Sequence, residues 1–142
     1  PTPDMTMTGT PTSEPTASPT PSPSPPPNDF QYSLSLNDYI FSAGDLFLLS
    51  REIWNPFSGF DAAEIIVLDV YGDYFFYPAW QPGLHAELIS IPNGLDTLTI
   101  LEFNWPEGDY GSAENLFIYG ACLDPETAEL IGNYDFVSFG YQ

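Results

Sequence analysis

The chain has 142 residues, with 20 acids against a single base, Arg51, and a formal charge of −19 at pH 7. That balance excludes nucleic acid, because binding a polyanion needs a basic patch that releases counterions, and anionic lipid headgroups repel such a chain in the same way. Favoured partners are neutral or cationic: neutral glycans, Ca²⁺ and further copies of the same protein, with mutual repulsion screened over about 8 Å at physiological salt.

Residues 1–28 hold ten Pro, seven Thr and four Ser, a composition that cannot build a core and contains no apolar run for membrane insertion. All 23 aromatic residues fall beyond that point. Residues 1–28 therefore read as an extended tail and residues 29–142 as one folded domain. With Pro1 at its start and no signal peptide in view, the chain reads as a mature form or as part of a longer precursor. Stalks rich in Ser, Thr and Pro are typically O-glycosylated and extracellular, so the expected location is outside the cell or at its surface. None of the seven Asn residues begins an Asn-x-Ser/Thr sequon, so any glycan is O-linked, on Thr12, Ser13, Thr16, Ser18, Thr20, Ser22 and Ser24.

Within the tail, Met5-Thr-Met-Thr-Gly-Thr10 alternates, with Met5 and Met7 on one face and Thr6, Thr8 and Thr10 on the other. This segment can form a strand for assembly. Residues 11–27 follow as a polyproline-type spacer, about 50 Å long at roughly 3.1 Å per residue.

In the domain, Phe30-Gln-Tyr-Ser-Leu-Ser-Leu36 has the strict period-2 alternation of a half-buried strand. A turn at Ser42-Ala-Gly-Asp45 leads to a second strand over residues 45–53. Residues 64–71, rich in β-branched side chains and apolar on both faces until Asp69, predict a central strand. Gly72-Asp73 turns into a strand over residues 74–77, making an antiparallel hairpin. Residues 84–91 and 97–103 form a further pair joined through Pro92-Asn93-Gly94, the strongest local hairpin signal in the chain. Residues 116–123 and 134–141 form the last pair, with a tight turn starting at Asp124-Pro-Glu-Thr127. Residues 62–64 and 126–131 are each compatible with a helical turn. About eight short strands with turns between them predict an all-β fold, an antiparallel β-sandwich of immunoglobulin-like or jelly-roll-like type.

Few side chains point to chemistry. Cys122 is the only cysteine, which excludes an intrachain disulfide, and it is expected to be a small buried hydrophobe. The absence of lysine excludes Lys–Asn isopeptide crosslinks and leaves Arg51 as the only tryptic site, so resistance to trypsin is expected. His85, the only histidine, sits in a strand pattern with Leu84, Ala86 and Leu88 and reads as a strand-face residue. No nucleophile–base set accompanies it, and the chain is not expected to be an enzyme. Loop acids suit Ca²⁺, with Glu107, Asp109 and Glu114 the best candidates, although no EF-hand spacing occurs and no other cofactor is implied. Trp54, Trp80 and Trp105 each precede a proline-containing loop. They read as indoles capping the core, or alternatively as a platform stacking on neutral sugars.

The run Leu116-Phe-Ile-Tyr-Gly-Ala-Cys-Leu-Asp-Pro-Glu-Thr-Ala-Glu-Leu-Ile-Gly132, with Phe41-Ser-Ala-Gly-Asp45 and Asp69-Val-Tyr-Gly-Asp-Tyr74, resembles C-terminal domains of uncharacterised secreted bacterial proteins that follow Pro/Thr/Ser-rich linkers. The resemblance implies a secreted β-rich module and no particular functional residues. The tail-plus-sandwich layout is also similar to subunits of extracellular fibres. The expected function is a structural subunit of a secreted filament, a homopolymer assembling through its tail and sandwich edges. The alternative is a monomeric carbohydrate-binding or adhesion module on a glycosylated stalk.

Overall fold

Alternation becomes the first strand. Tyr32 and Leu34 of β1 (Gln31–Leu36) are buried and the residues between them exposed. A computed structural model describes residues 28–142, which hold nine strands and no helix. The assembly strand at residues 5–10, the spacer at residues 11–27 and the glycosylation candidates from Thr12 to Ser24 lie outside the described residues.

β1 pairs antiparallel with β3 (Leu46–Asn55), which pairs on its other side with β7 (Gly94–Asn104), giving a three-stranded sheet ordered β1-β3-β7. The β3–β7 register steps from Leu49 opposite Leu101 to Ser50 opposite Thr99, leaving Ile100 as a bulge. One extra residue inverts the side-chain phase. Asp96 before the bulge and Phe103 after it can therefore both face the core.

The second sheet has six strands. β2 (Ile40–Phe41), β9 (Leu130–Tyr141), β8 (Ala113–Leu123) and β4 (Phe60–Val70) lie in that order, and β5 (Asp73–Phe76) and β6 (Glu87–Ile91) share the far side of β4. The fold is thus an all-β sandwich. Between the sheets lie Tyr32, Phe41, Phe47, Leu49, Ile53, Ile66 and Ile118, each contributing about 1.5–3 kcal/mol by burial. Rings dominate one end: Phe47 meets Phe41 at 4.9 Å and Phe103 at 5.0 Å between centroids.

Several sequence expectations need correction. Pro92-Asn93-Gly94 does not close a hairpin: β6 pairs with β4 in one sheet and β7 with β3 in the other, so the segment crosses between sheets. Side chains pin this corner to the parallel crossing from β3 to β4. Asn93 Nδ2 donates to the Asn55 and Phe57 carbonyls, and buried Asn55 donates from Nδ2 to the Pro92 carbonyl at 3.1 Å. Residues 62–64 are strand rather than helical turn, since β4 begins at Phe60, and residues 126–131 are a turn running into β9. The turn forms because Asp124 Oδ1 accepts from the Glu126 and Thr127 amides. The ninth strand, β2, is two residues long and pairs parallel with β9. Residues 84–86 stay out of the sheet: past Glu64 the Tyr77 amide donates to the Ile66 carbonyl, and β4 is paired with β5 from Val67 on.

Candidate functional site

The deepest polar cluster joins both sheets around the one base. Arg51 in β3 is 3% exposed and Glu64 in β4 is 1% exposed, and they face each other across the core. Arg51 Nε reaches Glu64 Oε2 at 2.8 Å and Nη2 reaches Oε1 at 3.1 Å, a two-pronged pair. Arg51 Nη1 bonds Asp96 Oδ2 at 2.7 Å, and the Tyr32 hydroxyl donates to Glu64 Oε2 at 2.7 Å. Burial alone would lower the Arg51 pKa, but the hydrogen bond and charge of Glu64, with a hydrogen bond to Asp96, raise it above its ordinary value. Burial, with Glu64 second, raises the Tyr32 phenol far above the tyrosine range and pushes the Cys122 thiol up to about 12. Tyr32, Arg51 and Glu64 are shielded from solvent while Asp96 is 38% exposed, and the cluster ties the two sheets together. Sequence reading missed it because a lone arginine in an acidic chain reads as a surface charge.

The sandwich edges differ sharply. β1 turns its unpaired side toward β9, where Asn133 Oδ1 accepts from the Tyr32 amide at 2.9 Å and Asn133 Nδ2 donates to the Tyr32 carbonyl at 2.8 Å. Asp135 Oδ2 accepts from the Leu34 amide at 2.9 Å. Side chains thereby seal that edge without a backbone ladder. β7 pairs only with β3 among the described residues, which leaves one side of an eleven-residue strand open.

The three tryptophans do not share a surface. Trp54 is near the end of β3, opposite Gln31 and Leu95, whereas the Trp105 amide bonds the Asp45 carbonyl just before β3 begins. Nine residues of extended chain separate those ends by about 30 Å. Trp105 packs into the aromatic end, 5.8 Å from Phe41 and 5.2 Å from Tyr141. Trp80 meets Tyr77 edge-on at 5.8 Å and lines, with Trp105, an apolar cavity of about 140 Å³.

Glu107, Asp109 and Glu114 are exposed, and among the described residues no three acid, His or Cys side chains gather as a metal-holding group. Asp109 Oδ1 instead accepts from the Gly111 amide, and the Glu114 backbone exchanges hydrogen bonds with the Tyr71 hydroxyl. His85 lies before β6 rather than on a strand face, half exposed, with Nε2 2.8 Å from Glu87 Oε1. Cys122, on the core side of β8, is fully buried.

No protein family and no curated protein matches the chain. A CARDB domain from Pyrococcus furiosus, solved in complex with di-metal ions, is similar to it with a TM-score of 0.49 and 12% identity, over 80% of this chain and 88% of that one. An alkylpurine DNA glycosylase from Pseudomonas fluorescens, bound to DNA with an abasic site analog, scores 0.44 at 10% identity over 80% of this chain and 30% of that one. A mutant β-glucosidase from Listeria innocua in complex with laminaribiose scores 0.43 at 12% identity over 80% of this chain and 16% of that one. The metal ions, DNA and sugar belong to those proteins.

Proposed function

We propose that the protein is a structural subunit of a secreted extracellular filament, in which the strand at residues 5–10 of one subunit adds to the open β7 edge of the next. The open edge carries this reading. Before the bulge at Ile100, Gly94 to Thr99 pair regularly with Asn55 to Ser50, offering six consecutive positions to a six-residue segment. The tail leaves the domain beside Gln31, two strand spacings from β7, or about 10 Å. A stiff spacer of roughly 50 Å overshoots that edge and suits a neighbour's. O-linked sugars on the tail would stiffen it further.

Electron microscopy of the full chain tests the reading against a variant carrying Thr6→Pro and Thr8→Pro, which cannot donate a complete ladder. Filaments are expected from the parent and not from the variant; equal filaments from both would refute the role of the tail. The alternative, a monomeric carbohydrate-binding or adhesion module, draws less support, because Trp54 lies at the opposite end of β3 from Trp105 while Trp80 and Trp105 line one apolar cavity.

A further inference from the structure

A two-layer sandwich in water alternates apolar residues toward the core with polar residues toward solvent. The three-stranded sheet follows this rule along most of its outer face, where Gln31, Ser33, Ser35, Ser50, Glu52, Thr97 and Thr99 lie, with Leu46, Leu48, Trp54 and Leu95 as apolar exceptions toward its ends. The six-stranded sheet breaks it. Its register aligns Phe76, Val67, Tyr119 and Phe136 in one row across β5, β4, β8 and β9, all on the side away from the core. In the next row Ile65 lies opposite Ala121. Phe117, Tyr119 and Phe136 form a triangle of ring contacts at 5.7–6.1 Å. At the margins Tyr134 is 59% exposed and Leu88 70%.

Charge is missing from the same face. The outward acids of β4, Asp61 and Asp69, stand near its two ends and are already engaged, by the Ser90 hydroxyl and the Gly72 amide. The rows between them contain none, in a chain with 20 acids. A strand buried on one side only has no need of apolar residues on both.

We propose that this face packs against the same face of a second copy of the chain, joining two six-stranded sheets in a twofold pair. Two chains of charge −19 repel each other, and this face lets them meet without opposing carboxylates. A cationic partner would find no carboxylate row here, and an isologous contact places each aromatic row against its own copy. Four strands wide and eleven residues long, the whole outer face projects roughly 700 Å² against the about 800 Å² per partner of a standard interface, and the uncharged rows between Asp61 and Asp69 form its central part of roughly 450 Å². The contact is independent of the tail and the β7 edge, so it persists if the filament reading fails.

The test is sedimentation of the full chain carrying Thr6→Pro and Thr8→Pro, at concentrations up to about 0.1 mM. A dimer is expected that tightens with added salt, and Phe136→Glu should weaken it by about 100-fold with an unchanged circular dichroism spectrum. Leu88→Glu, at a more exposed margin, should weaken it in the same direction, whereas Leu95→Glu on the other sheet should not. A monomer at every concentration overturns the proposal, as does a dimer indifferent to both Phe136→Glu and Leu88→Glu. A monomer that binds neutral laminari- or cello-oligosaccharides and loses that binding with Phe136→Glu also overturns it, assigning the face to glycan.

Discussion

The Tyr32 hydroxyl and Glu64 Oε2 meet at 2.7 Å across the two sheets, on the oxygen that Arg51 Nε reaches at 2.8 Å. Glu64 is therefore the shared acceptor that lets a cation and a phenol be buried together. Its removal strands both. Glu64→Ala is expected to destabilise the fold by about 3 kcal/mol, the lower end for breaking a buried pair, because Asp96 still holds one arm of Arg51. Combining Tyr32→Phe, Arg51→Met and Glu64→Leu leaves no stranded polar atom of the three and should restore most of the loss. Urea unfolding of the two variants checks this; a single variant within about 0.5 kcal/mol of the parent would show the pair to be energetically idle.

The same burial makes the fold sensitive to alkali. Cys122 ordinarily titrates near 9.0 and Tyr32 near 10.0, but the fold keeps both neutral, with Cys122 pushed up to about 12 and Tyr32 higher. Above the ordinary values the unfolded chain binds fewer protons than the folded one, so stability falls as pH rises. This contribution is fully present below about pH 9 and is lost upward from there, by up to about 1.4 kcal/mol per pH unit for each group. Cys122→Ala should delay the onset by about one unit, to where Tyr32 begins. Urea midpoints that do not fall between neutrality and about pH 11 would contradict the assignment.

What the sequence made legible was local. Alternation marked β1, and Asp124 marked the turn before β9, because those signals are carried by neighbouring residues. The Pro92-Asn93-Gly94 signal was correct about backbone, with Gly94 at φ 99°, yet silent about which sheet the chain enters next. That choice is made by Asn55, whose partners are remote in sequence. Arg51 was opaque for the same reason, its acceptors lying 13 and 45 residues away. The outer aromatic face was half legible: residues 65–68 are apolar on both sides, but only register shows that β8 and β9 continue the same row.

Arg51 also turns trypsin into a probe of global unfolding. The only cleavable bond follows a residue that is 3% exposed, on a strand paired along both sides. Cutting requires β3 to leave the sheet, and the sheet is the core. The native chain should stay intact, and cleavage into residues 1–51 and 52–142 should rise along the urea unfolding curve. Fragments appearing well before that transition would mean that β3 opens locally.

The seal on β1 makes a residue-by-residue prediction. Asn133 and Asp135 take the backbone groups of Tyr32 and Leu34 that point away from β3, while the residues between them bond β3 in the antiparallel ladder. Replacing both by Ala leaves these groups without protein partners, at about 1–3 kcal/mol for each bond lost. Hydrogen exchange should then accelerate at the Tyr32 and Leu34 amides and stay slow at Ser33 and Ser35. Acceleration at all four would mean that β1 detaches as a unit, and none would mean that water or a neighbour already serves that edge. Selective loss would also expose a further open edge, so the variant should aggregate more readily than the parent.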